Sequence, residues 1–297
     1  MKTMEATVSS MLDRMYIDYC FDKSIKPKVT DLTNLMLDAY RDMIREEDWL
    51  SDETKAAAIE KLDNFKLHIC YPDKVYDVNC DAIKSADEGE TALDAIIKGR
   101  RFSRKWEAAP LSHRNDEGYM RYDVYYSTLG ACYLQQDNSI NIFAGICGGD
   151  YYNPDWPLEK NLGGLCMIVG HEITHAFDSE GADYDKDGAL KNWWTGEDRA
   201  AFQKEAIADL GALKCLISIA RQQESFEYDT FFKQVAIIQK QARYEEAEKV
   251  YVATDEHPVE AYRANIPLQN YDEFLDFYEI KEGDDMYLAP GDRITVW

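Results

Sequence analysis

Residues 164–178 read GLCMIVGHEITHAFD, and the reading of this stretch decides how the rest of the chain is placed. Met167, Ile168, Val169 and Ile173 give it the apolar texture of a buried helix, and the helical pattern extends over 157–176. Two of the chain's five histidines sit in that run, four residues apart, with a glutamate between them. On a helix, positions i and i+4 share a face, so His171 and His175 each turn one ring nitrogen toward a single point. Glu172 is rotated away from that face but stays within reach of a water held there. This is the H-E-x-x-H arrangement of a hydrolytic zinc site, with the glutamate as general base. The bland alternative is a helix with two satisfied histidines; the apolar flanks and the following Phe177-Asp178 weigh against it.

A catalytic zinc takes three protein ligands and keeps one position open. No third histidine follows at the H-E-x-x-H-x-x-G-x-x-H spacing, because Asp178 and Gly181 stand at the last two positions. A glutamate from a second helix is the other common solution. Residues 204–213, KEAIADLGAL, offer Glu205, with Asp209 one turn later on the same face. Glu205 would complete a site for one zinc ion per chain, and Asp209 would accept the free N–H of a ligand histidine. Taken alone, E-x-x-x-D is the pattern of two solvated acids; the Ala- and Leu-rich surroundings favour a buried helix.

Working outward, the 297-residue chain carries a net charge of −23, which excludes nucleic acid as an expected partner, since phosphate binding needs a basic surface. No apolar run approaches the ~18 residues of a membrane helix. The first residues lack the apolar core of a signal peptide, so a cytoplasmic protein is expected, or an extracellular one if the chain is a fragment of a longer precursor. The seven cysteines are widely spaced with no C-x-x-C pair, so they read as small core hydrophobes, not zinc ligands.

Residues 5–68 read as helices, with Ser51-Asp52-Glu53-Thr54 as a helix start, and 91–108 as another helix. The Tyr- and Ile-rich run over 119–145 reads as two or three strands. Helical patterns return over 195–250, and 196–223 reads as one helix. The tail beyond 253, with Pro258, Pro267 and Pro290, reads as loop with a short helix at 271–278. The expected fold class is mainly α with a small antiparallel or mixed β-sheet. The expected organisation is a single lobe over 1–297, with a helical part (1–115) and a zinc-site core (116–297). The DxDxDG run at 183–188 mimics half an EF-hand loop, but the twelfth position is Trp194 and not Glu, so it reads as a turn.

With these motifs the chain resembles the neprilysin and endothelin-converting enzyme family of zinc metallopeptidases, bacterial oligopeptidases included. The resemblance rests on residues 161–178, on Asp185-Lys186-Asp187-Gly188 with Asn192-Trp193-Trp194-Thr195, and on Glu205-Ala206-Ile207-Ala208-Asp209-Leu210-Gly211. It continues through Asp255-Glu256-His257-Pro258, Arg263, Leu268-Gln269-Asn270 and the ending Val296-Trp297, and covers nearly the whole chain. It implies a thermolysin-like zincin catalytic lobe with additional helices, acting on small peptides. By the same resemblance, His171, His175 and Glu205 bind zinc, Glu172 activates the water, and Asp209 supports a ligand histidine. His257 would donate to the oxyanion, and Arg263 would hold the substrate backbone or brace the site. Ala131 would lie on the edge strand that receives the peptide, and Ile146, Met167 and Ile168 would form an apolar pocket for the residue after the scissile bond.

The chain departs from that family in several places. Family members are about twice as long, and most of their capping lobe is missing here, which leaves open a second chain supplying it. The connection from Trp194 to Glu205 is shortened. Gly130 replaces the substrate-binding asparagine, Gln239 stands near the place of a tryptophan, and Ile294 replaces a cysteine of the animal members. The competing reading is a zinc-binding but inactive or partner-completed relative that acts as a peptide-binding module.

Overall fold

The computed structural model describes residues 12–73, 83–112, 126–179, 181–202, 208–255 and 257–294. Helix α1 (Ile25–Glu46) buries Val29, Met36, Tyr40, Met43 and Ile44 along one stripe. Helix α2 (Asp52–Asp63) starts where the sequence places it: the Ser51 side chain accepts the Thr54 N–H, and Asp52 and Glu53 fill the first turn.

Strand β1 (Lys66–Cys70) corrects the expectation of helix through residue 68. It pairs in parallel with β3 (Ser139–Phe143), Lys66 opposite Ser139 and Cys70 opposite Phe143. A five-residue strand whose partner lies some seventy residues downstream leaves no local periodicity to read. Helix α3 (Ala92–Ser112) follows the expected pattern. Strand β2 (Ala131–Leu134) pairs antiparallel with β3. The sheet order β1-β3-β2 leaves β3 central and buried throughout, and β2 at an edge. Residues 119–125 of the expected strand region lie outside the described residues.

The expected helix over 157–176 forms with an irregular turn. A short α-turn (Leu158–Asn161) passes through a π-helical stretch (Leu162–Cys166) into α4 (Met167–Thr174). The Tyr151 carbonyl accepts the Leu165 N–H at 2.7 Å. A Cβ on Gly164 would fall 2.2 Å from that same oxygen, so only glycine admits it there.

Downstream lie α5 (Gly196–Phe202), α6 (Ala208–Arg221), α7 (Tyr228–Ile238) and α8 (Glu245–Thr254). The single helix expected over 196–223 is described as α5 and α6, with 203–207 outside the described residues. The tail carries two helices where one was expected, α9 (Glu260–Gln269) and α10 (Asp272–Phe277). Pro267 lies inside α9, two residues before its end. The chain is thus mainly α with a small mixed sheet. Among the described residues no helix is long and apolar enough to cross a membrane.

Helices α4 and α6 pack closely at the centre. A Cβ on Gly170 would lie 2.9 Å from Ala212 Cβ and 3.0 Å from Met36 Cε, so the missing side chain sets the helix separation. Behind them, Tyr40 Oη donates to the Gly170 carbonyl at 2.8 Å and lies 2.7 Å from Thr174 Oγ1, tying α1 to α4.

Candidate metal centre

Helix α4 carries His171 in its last turn, and His175 caps its C-terminus. Their Nε2 atoms lie 2.9 Å apart. The other nitrogen of each ring meets a carboxylate. His171 Nδ1 is 2.7 Å from Asp209 Oδ1, and His175 Nδ1 is 2.5 Å from Asp178 Oδ2. A carboxylate at Nδ1 draws the ring proton there and leaves Nε2 with its lone pair. Two lone pairs facing each other at this distance repel unless a cation lies between them, so the donor set fits a metal ion.

His257, from the loop between α8 and α9, joins them. One donor nitrogen from each of the three histidines lies within 4.8 Å of the others. His257 Nδ1 is 2.9 Å from Asp255 Oδ1, which makes Nε2 the nitrogen available to the cluster. Glu205, the third ligand expected from the sequence, lies outside the described residues.

Asp209 sits in the first turn of α6. Burial alone would raise its pKa, but Arg263 and His171 outweigh burial and hold it well below the usual carboxylate range. Arg263 reaches it with two prongs, Nε to Oδ2 and Nη2 to Oδ1, each at 2.8 Å. These bonds tie Arg263 to the carboxylate that meets His171. For His175, burial pushes the pKa down, yet Asp178 with Glu172 and Asp209 leaves it raised.

Asp178 and Lys61 were missed as site residues. Asp178 had a signal in its place three residues after His175, within reach of the ring. Its other oxygen accepts the Gly181 N–H at 2.8 Å. The loop doubles back so tightly that a Cβ on Gly181 would fall 1.9 Å from the His175 carbonyl oxygen. Lys61 holds this loop from α2. Only 1% exposed, its ammonium donates to the carbonyls of Ala176, Gly181 and Tyr184 at 2.7, 2.7 and 2.6 Å. Burial pushes its pKa down to about 7, against the pull of Asp178 and Asp185. Its signal was a lysine falling on the buried stripe Thr54, Ala58, Lys61, Leu62. The 183–188 run is a turn, as expected: Asp185 Oδ1 accepts from the N–H groups of Asp187 and Ala189, and Gly188 takes φ +74°.

Glu172 is buried beside the histidines, and its Oε2 accepts the Tyr133 N–H at 2.8 Å. The Gly130 carbonyl accepts from Phe143 N on the β3 side. Alternation along β2 therefore turns the amide groups of Ala131 and Tyr133 toward the open edge. A cleft of about 480 Å³ runs along this edge, lined by Ala131, Ile146, Ile168, His171, Glu172, His257 and Arg263 among others. Met167 is not part of the lining. It lies one residue, about 100° of helix turn, from Ile168 and is wholly buried in the core.

The family model of peptidase family M13 matches residues 130–212 and 203–294, and its N-terminal model matches 1–72. The chain belongs to peptidase family M13. Among its M13 relatives, the neutral endopeptidase of Lactococcus lactis subsp. cremoris is 29% identical over 322 residues, covering 99% of this chain and 50% of that protein. Neprilysin-11 of Caenorhabditis elegans is 26% identical over 329 residues, covering 95% of this chain and 38% of that protein. The crystal structure of PepO from Lactobacillus rhamnosis superposes with a TM-score of 0.81 at 25% identity, over 98% of this chain and 50% of that one. The chain spans about half the length of the curated M13 relatives it matches, and the resemblance to the neprilysin family is thereby borne out.

Proposed function

We propose that this M13 chain is a zinc-dependent metalloendopeptidase that hydrolyses small peptides, with one zinc ion per chain. The observation that carries the reading is the convergence of the His171 and His175 Nε2 atoms, 2.9 Å apart, with each imidazole held by a carboxylate on Nδ1. His171 and His175 would hold the ion together with Glu205. Zinc held there supplies Lewis acidity, lowering the pKa of a water and polarising the scissile carbonyl.

The remaining steps belong to the chain's own residues. The peptide lies along β2 as an added strand, facing the amide groups of Ala131. Glu172, oriented by the Tyr133 N–H, takes the proton of the water and passes it to the leaving amine. His257, with Asp255 on Nδ1, would donate from Nε2 as the imidazolium to the oxygen on which negative charge develops. Asp209 fixes the ring of His171, and Arg263 fixes Asp209.

The test combines zinc content with cleavage of short quenched-fluorescent peptides. Stoichiometric zinc and chelator-sensitive cleavage are expected, with Glu172→Gln keeping its zinc and losing turnover. A Glu172→Gln chain that cleaves as fast as the parent would sink the mechanism.

A further inference from the structure

The cleft that holds His171 and Glu172 has a buried amide side chain set beside the isoleucines of its wall. Gln239 follows the last residue of α7 and lines the cleft with Ile146, Ile168 and Ile238. It is only 7% exposed, and its Nε2 has no hydrogen-bond partner among the described residues. A buried amide N–H without an acceptor is costly, and the cost disappears if a bound molecule brings the acceptor. The neighbouring isoleucines offer none. A peptide entering along β2 would bring such an acceptor into the cleft.

We infer that Gln239 makes this pocket select a substrate side chain with a hydrogen-bond acceptor, an amide or carboxylate such as Gln or Glu, over an aliphatic side chain of similar size. The inference rests on the metallopeptidase reading for the position of the peptide. Its physical content is narrower: an apolar residue seated against Gln239 leaves the buried N–H unpaired in the complex, whereas a Gln or Glu side chain pairs it. Discrimination of this kind is larger than that from shape alone, because the wrong ligand buries a polar group without a partner.

The experiment uses two peptides identical except for Gln or Leu at the residue after the scissile bond, offered to the zinc-loaded full chain. The parent is expected to favour the Gln peptide in kcat/KM by about tenfold. Gln239→Leu should reverse the order, and Gln239→Glu should specifically reject a third peptide carrying Glu. Zinc content equal to the parent's shows that each variant is folded. A parent that favours Leu, or a Gln-to-Leu ratio unmoved by Gln239→Leu, overturns the inference. Binding of the same peptides to zinc-loaded Glu172→Gln separates this from the activity reading. If nothing is cleaved but the Gln peptide binds more tightly and Gln239→Leu abolishes the difference, selectivity stands and the peptidase reading fails. Equal binding of both peptides, or none, overturns the inference.

Discussion

Asp209 is shared between two partners on different elements: His171 Nδ1 on α4 lies 2.7 Å from its Oδ1, and the Arg263 fork on α9 grips both of its oxygens. Asp209→Ala frees the imidazole to turn and leaves Arg263 half-buried without its counter-charge. Zinc affinity is expected to fall about 10- to 100-fold, read by competition with a chromophoric chelator. Arg263→Ala should act in the same direction but more weakly, since the direct contact to the ring survives.

His257 is expected to act on the rate and not on metal retention. His257→Ala should lower kcat by about 10²- to 10³-fold while zinc content holds. Single-turnover kinetics beside metal analysis checks this. Loss of zinc together with rate would move His257 from oxyanion donor to ligand.

Gly130 is a departure that the fold would allow to be reversed. A Cβ there meets nothing closer than Thr128 Cγ2 at 3.8 Å, so the β-carbon of a side chain fits without moving backbone. Gly130→Asn is expected to strengthen peptide binding by about 0.5–1.5 kcal/mol, the worth of one neutral hydrogen bond. The change should appear in KM with kcat nearly constant.

Lys61 gives a stability prediction with a defined sign. Its pKa is about 7 in the folded chain and 10.5 as the unperturbed value. The unfolded chain therefore binds more protons between these values, so the Lys61 contribution grows as pH rises through the window and shrinks as pH falls toward 7. The slope reaches at most about 1.4 kcal/mol per pH unit. Lys61→Met should abolish that rise in denaturant titrations at about pH 7 and pH 9. It should also cost about 3 kcal/mol, because three buried carbonyls lose their donor.

The histidine pair was legible because helical spacing is a local property, and four residues suffice to put two rings on one face. Asp209 was legible for the same reason, as a carboxylate in an apolar helix. Strand β1 was not, because its pairing with β3 is a long-range contact that leaves no trace in five residues. Lys61 was hidden by its type: a lysine reads as solvent-facing, and only the folded-back loop supplies the carbonyls that permit its burial. For Met167 and Ile168 the resemblance gave only the neighbourhood, and one step of helix rotation puts Met167 in the core and Ile168 on the cleft.

The grip of Lys61 on the loop after His175 has a consequence for how this protein tolerates sequence drift. All three acceptors are main-chain carbonyls, which any residue provides, so the lysine holds the path of the loop without reading its side chains. Tyr184 can change with little penalty to this bracing. Gly181 cannot, because any side chain there collides with the His175 carbonyl, and Asp178 cannot, because His175 leans on it. In a saturation library over the loop, tolerance should therefore alternate sharply from one position to the next, and the most restrictive position of all should lie more than a hundred residues upstream, at Lys61.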